Sequence, residues 1–410
     1  MKTIIFIGTN KSGSSYEAIK YAESLNYYTV LLTNNKKFIE KRIEFPNVHL
    51  MKLCNISNIN QIRDAINQLI DNNLDICAIV SFIDPYCYTA SLLAEEYGLK
   101  HFSSDAILTM QDKIKSREVL AGSPYAPFFY EINDDEIPNE EAVSEKLPLV
   151  LKIPSSAGSK DVYKVETYQQ YEEAINKIRT KRPNEAILAE EYLEGPQYLI
   201  ETVTVDNRIN IIAIVEQEIT FTGRFIVTGY KMILEHKNRF YKSLKKAVKS
   251  IICAHGMENG PCHLEIRYVH NKWKLIEANP RISGGAMNSF IETAYGINLV
   301  GETLKLALGI KPNFNCRYKK ETFLQYVIAT QKGKLERVVG RDKALHCEGV
   351  QAVYIKPKKD SIIMPPISMA YRYAYVIATG QTADEARENA KHGAAQIEFH
   401  LYEYFGNFDS

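Results

Sequence analysis

The stretch Pro261-Cys262-His263-Leu264-Glu265-Ile266-Arg267-Tyr268-Val269-His270-Asn271-Lys272-Trp273-Lys274-Leu275-Ile276-Glu277-Ala278-Asn279-Pro280-Arg281 reads as two strands around a short turn. Aliphatic, β-branched and aromatic residues suit both strands, and Asn271 tolerates a left-handed turn conformation. A turn centred on Asn271 sets Val269 against Trp273, Glu265 against Glu277 and His263 against Asn279. Side chains alternate along a strand, so Glu265, Glu277 and Asn279 share one face. Directly opposed Cβ atoms lie about 4.5–5.5 Å apart, and two carboxylates at that spacing repel unless a cation sits between them. A hard divalent cation with oxygen ligands meets that need. Magnesium keeps waters and takes one or two carboxylates together with substrate phosphates. Arg281 follows at the Pro-bounded exit and can clamp a carboxylate or a phosphoryl group. Ser283-Gly284-Gly285 then lets backbone approach a ligand closely. The residues alone leave a second reading open, a surface hairpin with two solvated glutamates.

Glu277-Ala278-Asn279-Pro280-Arg281, with His263-x-Glu265 upstream, resembles the metal-binding signature of the ATP-grasp superfamily. The resemblance implies that Glu265, Glu277 and Asn279 hold Mg2+ on ATP phosphates, with Mn2+ able to substitute. It makes Arg281 the catalytic residue that stabilises an acyl-phosphate as it forms. Tyr230, His263, Arg281, Gly284 and Gly285 are the candidate substrate contacts.

Upstream lie segments that fit a nucleotide grip. Met110-Gln111-Asp112-Lys113 opens a helix whose plain reading is a charged, solvated face; the resemblance has Lys113 reach the nucleotide phosphates. Residues 147–154 form an apolar strand broken by Lys152, and a buried lysine must snorkel or meet an anion. Small residues follow, and their successive N–H groups can cradle phosphate. The segment resembles the family's phosphate-covering loop, with Ser155, Ser156, Gly158, Ser159 and Lys160 as candidate contacts; Asp161 stands where the family has glycine. Residues 186–198 read as a strand running into a Gly195-Pro196 turn and resemble the hinge strand. The resemblance places Glu190, with the backbone at Glu191 and Leu193, on the adenine and Gln197 near the ribose, where relatives often carry an acid.

The amino-terminal 108 residues alternate strand and helix patterns: strands over 3–7, 28–32 and 76–82, and helices over 16–25, 62–70 and 88–97. This order predicts an open α/β sheet. Gly8 to Ser15 has P-loop glycine spacing but carries Ser14 in place of the lysine. A tight turn with a Ser N-cap accounts for it. Farther on, a hairpin turns at Asp206-Asn207, and residues 220–234, including Arg224, Thr228, Gly229 and Tyr230, are expected to line the cleft with His236 nearby. A helix covers 241–255 and a helical region 285–308. Strands resume over 323–328, 349–355 and 371–379, and a helix capped by Thr382 runs to 401. That last part resembles the terminal module of carboxylate–amine ligases related to biotin carboxylase.

The expected fold is α/β (α+β): an ATP-grasp core with an N-terminal open α/β sheet domain and a C-terminal strand-rich module. The expected divisions are 1–108, 109–190 (lid), 191–312 (metal and catalytic) and 313–410. With balanced charge (+1), no basic block and no zinc-finger spacing, nothing argues for a nucleic-acid partner, and none is expected. Seven scattered cysteines without a CxxC, no signal peptide and no membrane-length apolar run lead to the expectation of a cytoplasmic protein. Over nearly its whole length the chain resembles L-amino-acid ligases that make dipeptides, including the arginine-selective type of the rhizocticin antibiotic pathway. The resemblance implies ATP-dependent joining of two amino acids, small-molecule amino-acid substrates and a homodimer as a common state. The acidic residues Asp84, Glu216 and Glu218 point toward a basic first amino acid. A carrier-protein or other pathway amine is the alternative acceptor. A nucleotide-binding protein without turnover is the alternative of another class, and it has no need of Glu265, Glu277, Asn279 and Arg281 together.

Overall fold

The computed structural model describes residues 1–133, 139–154, 162–221, 225–234, 238–366 and 371–402. Ser155, Ser156, Gly158, Ser159 and Lys160, together with Arg224 and His236, lie outside the described residues.

Four sheets order the described residues. The first is parallel, in the order Leu50–Leu53, Tyr28–Thr33, Lys2–Ile7, Asp75–Val80. Its central strands are unbroken apolar runs because helices cover both faces. Those helices, Ser14–Ser24, Ile59–Asp71 and Asp84–Glu96, are the expected ones, while the short Leu50–Leu53 strand was not foreseen. The expected Ser N-cap is absent: Gly13, at φ +79°, takes the cap position, and Ser15 Oγ instead accepts from the Asn10 N–H at 3.0 Å. The second sheet is antiparallel, in the order Phe129–Ile132, Ile187–Glu191, Leu149–Lys152, Val162–Val165. The helix Tyr168–Lys181 buries Tyr171, Ala174, Ile175 and Ile178 in the core that this sheet shares.

The third sheet has eight antiparallel strands, ordered Lys272–Asn279, Gly260–Val269, Gln197–Val205, Arg208–Phe221, Phe225–Met232, Glu321–Ile328, Arg372–Gly380, Val350–Ile355. It runs without a break from the Gly260–Asn279 hairpin into the carboxyl-terminal strands, joined by the pairs Gly229↔Gln325, Tyr230↔Leu324 and Lys231↔Phe323. The terminal helix is shorter than expected. It spans Ala383–Ala395, capped by Thr382, and the chain then forms the strand Glu398–Tyr402 in a small third-strand role beside Gly333–Val339. The reason is a change of period: Phe399 and Leu401 alternate inward onto the Leu335, Ile363 and Tyr373 cluster, which a helix could not present.

The hairpin departs from the expected register in an instructive way. His270 and Asn271 both have positive φ, 47° and 63°, so the turn has two residues and pairs Val269 with Lys272 and Tyr268 with Trp273. Val269 therefore does not face Trp273. The ladder continues to Ile266↔Leu275, then shifts, and resumes at Glu265↔Glu277, Leu264↔Ala278 and His263↔Asn279. Ile276 is the extra residue of a β-bulge.

Candidate active site

The bulge brings Glu265 opposite Glu277, with Asn279 two residues farther on the same strand. Both carboxylates keep partial solvent access, at 26% and 32% side-chain exposure, so a ligand can reach them. Glu265 accepts from Gln197 Nε2 at 2.9 Å and faces His263 Nε2 at 3.6 Å. Burial would raise the Glu265 carboxyl, but His263, Arg281 and Lys152 hold it below its ordinary range. Glu277 lies 3.4 Å from Lys113 Nζ, which also donates to the Pro154 carbonyl at 3.0 Å. Asp112 places that lysine by capping its helix, accepting from the Ile114 and Lys115 N–H groups.

His263 is buried, and its Nδ1 lies 2.6 Å from Glu201 Oε1. Burial alone would lower the imidazole; Glu201 and Glu265 outweigh it and push it up to about 10. The other oxygen of the fully buried Glu201 accepts from the Ser283 N–H at 3.1 Å, so one carboxylate joins the hairpin to the loop after Arg281. Gly285, at φ +65°, sits in that loop, and a Cβ on Gly13 would come within 3.0 Å of its nitrogen. The amino-terminal sheet thus abuts the candidate site directly. Arg281 reaches back to it, with a guanidinium nitrogen 2.5 Å from Asp84 Oδ2.

On the lid side, Lys152 finds the anion its burial demanded. Its Nζ lies 2.5 Å from Glu190 Oε2, while Arg117 Nε lies 2.6 Å from Glu190 Oε1. Desolvation would raise the Glu190 carboxyl, but the two cations hold it below its ordinary range; burial holds the Lys152 ammonium down. Both Glu190 oxygens are therefore engaged by cations. Glu191 uses its N–H on the Phe128 carbonyl at 3.0 Å and its carboxylate on the Phe128 N–H and Lys274. The Leu193 carbonyl accepts from Arg267, and Gln197 bridges Arg267 and Glu265.

Tyr230 is buried, and its hydroxyl accepts from Arg372 at 3.2 Å; that guanidinium also stacks 4.0 Å over the Tyr326 ring. Of the three acids linked to a basic substrate, Asp84 faces Arg281, Glu216 lies 3.7 Å from Lys231, and Glu218 pairs with Arg387 and Lys391 of the Ala383–Ala395 helix. Arg117, Glu201 and the Asp84–Arg281 pairing were missed in the sequence. A single charge within a strand or helix gives no signal of a partner scores of residues away.

Among the described residues no group of three or more His, Cys, Asp and Glu is placed to hold a metal. The set here is two carboxylates and an amide oxygen. That donor chemistry fits magnesium, which needs few protein oxygens when phosphates and waters complete its shell.

Residues 145–289 match the ATP-grasp domain family, and residues 325–402 match the L-amino acid ligase C-terminal domain 2 family. The chain is an ATP-dependent carboxylate–amine ligase that carries an ATP-grasp domain. It is similar to an L-arginine-specific L-amino acid ligase of Bacillus subtilis, at 23% identity over 63% of this chain and 64% of that one. In structure the ligase resembles an L-amino acid ligase from Bacillus licheniformis, with a TM-score of 0.81 and 18% identity over 98% of this chain and 99% of that one. It also resembles the biotin carboxylase domain of the 2-oxoglutarate carboxylase of Hydrogenobacter thermophilus, solved with MgADP, with a TM-score of 0.69 and 16% identity over 97% and 90% of the two chains. Among the described residues, no helix is long and apolar enough to cross a membrane.

Proposed function

We propose that this ligase joins the carboxylate of one L-amino acid to the amino group of another, releasing ADP and phosphate. The observation that carries the reading is the opposition of Glu265 and Glu277, with Asn279 beside them and Arg281 at the strand exit. The likeness to an arginine-specific ligase and the matching C-terminal domain favour amino acids as both substrates.

Glu265, Glu277 and Asn279 would hold Mg2+, and the bound ion would offset phosphate charge and orient the nucleotide. Lys113 and Lys152 add fixed positive charge on the same side. A carboxylate oxygen of the donor amino acid attacks the γ-phosphorus, the bond to the β–γ bridging oxygen breaks, and ADP departs. Arg281 holds the donor carboxylate during this step. The acceptor amine then attacks the acyl carbon, phosphate leaves, and the nitrogen loses a proton. Arg281 stabilises the oxyanion of that second step.

Phosphate release from ATP across single amino acids and all pairs, with hydroxylamine as a trap, tests the proposal. Release that requires one amino acid, with a dipeptide seen by mass spectrometry, is the expected result. Trapped hydroxamate without dipeptide would redirect the acceptor to another amine. No release with any carboxylate would overturn the reading.

A further inference from the structure

Among the described residues Arg117 is the largest fully buried side chain, with 1% exposure, yet it belongs to none of the groups assigned above to nucleotide or metal. It sits one turn beyond Lys113 on the short helix Lys113–Glu118. Its Nε engages Glu190 at 2.6 Å, and its NH2 donates to the Ile276 carbonyl. Ile276 is the bulged residue of the metal hairpin.

That second contact matters because of what the bulge does. From the turn to Ile266↔Leu275 the ladder would, if continued, set Glu265 against Ile276 and Leu264 against Glu277. Leu264 is fully buried in the core on the far face of the sheet. A one-residue slip moves every following side chain to the opposite face, so Glu277 would point into that core and Asn279 with it. The extra residue restores Glu277 to the face of Glu265. A bulge leaves its extra residue outside the ladder, and a buried carbonyl there needs another donor. Arg117 provides it from a different subdomain.

We infer that Arg117 is a positioning residue: it pins the bulge at Ile276 so that Glu265 and Glu277 converge, and through Glu190 it ties that geometry to the lid strand. The inference rests on the assignment of Glu265, Glu277 and Asn279 to a divalent cation. Its anchoring is three-fold, since the helix that carries Arg117 also carries Lys113, which faces Glu277. Movement of the lid strand would therefore be felt at the metal carboxylates.

The test is binding of Mn2+ in the presence of ADP, followed by electron paramagnetic resonance, beside calorimetric ADP binding without metal. Wild type, Glu277→Ala, Arg117→Met and Arg117→Lys are compared. Arg117→Met leaves Glu190 and Lys152 as a neutral pair; Arg117→Lys keeps a cation for Glu190 but cannot also serve Ile276. The expected result is a loss of about 10- to 100-fold in Mn2+ affinity in both Arg117 variants, the size seen when groups that orient metal ligands are removed, with metal-free ADP binding retained. Unfolding followed by the fluorescence of Trp273, the single tryptophan, identifies variants that fold, and Arg117→Met is read where Arg117→Lys does not. Wild-type Mn2+ affinity in a folded Arg117 variant would overturn the inference while leaving the metal assignment standing. Loss of metal-free ADP binding with an unchanged metal step would overturn it too. No Mn2+ binding by wild type, or full binding by Glu277→Ala, would instead refute the metal assignment itself.

Discussion

The Arg281 guanidinium lies 2.5 Å from Asp84 Oδ2, joining the exit of the Glu265–Glu277 hairpin to the first turn of the Asp84–Glu96 helix. The carboxylate holds the guanidinium in one orientation; burial would lower the Arg281 pKa, but the charge and hydrogen bond of Asp84 outweigh it and hold it above its ordinary value. An arginine preset in this way loses less freedom when a substrate carboxylate arrives. Asp84→Asn should raise the KM for the donor amino acid by roughly tenfold, the scale of one hydrogen bond to a charged group, and leave ADP binding unchanged. Initial rates against donor concentration check it. A lower KM would show that Asp84 competes for the guanidinium instead.

Glu277 and Glu265 oppose one another in register. Removing one leaves an incomplete oxygen set, so Glu277→Ala should abolish metal-dependent phosphate release. Melting should change little, because Glu277 is partly exposed and its ion pair with Lys113 is not fully buried. Phosphate release over a magnesium titration, with a parallel thermal melt, tests both halves.

Glu190 is buried between Arg117 and Lys152, and its carboxyl is held below the ordinary 4.5. A depressed carboxylate contributes stability above its unfolded pKa and loses it as pH falls through the folded one. Glu190→Gln leaves two cations without their anion, which costs about 3–5 kcal/mol at neutral pH. The gap between wild type and variant should narrow as pH falls below 4.5, where the unfolded chain takes up the proton first, and close through the lower pKa of the folded Glu190. Denaturant midpoints across that window give the answer; a constant gap would contradict the assignment.

The turn residues His270 and Asn271 both occupy the left-handed region. Asn-Gly is the pair that fits such a turn with least strain. Replacing His270-Asn271 by Asn-Gly should stabilise the protein by about 0.5–2 kcal/mol and leave phosphate release as it was. Chemical denaturation and the activity assay together decide it.

The face shared by Glu265, Glu277 and Asn279 was legible because strands have a strict period of two. The two-residue turn sets the first pairs one position away from those of a turn centred on Asn271, and the bulge at Ile276 restores the alignment. Bulges leave no local mark in composition, since Ile276 is as ordinary a strand residue as its neighbours. Lys152 was legible through the cost of burying a lone ammonium, which required an anion somewhere. Its partner Glu190 could be found only in the fold. Arg117 read as a solvated helix charge because one basic residue among Lys113, Lys115 and Glu118 carries no sign of inwardness. The end of the last helix was overrun because Ala383–Ala395 and the strand after it are separated by two residues only, with no Gly or Pro between them.

The eight-stranded sheet also bears on how the enzyme can be taken apart. Because Glu321–Ile328 hydrogen-bonds directly to Phe225–Met232, a cut at residue 313 would bare the inner edges of two long strands. Exposed edges of that kind recruit other chains. Chimeras that exchange the carboxyl-terminal quarter between relatives therefore have their natural crossover within matched strand pairs, and a fragment ending before residue 321 should be recovered as aggregate.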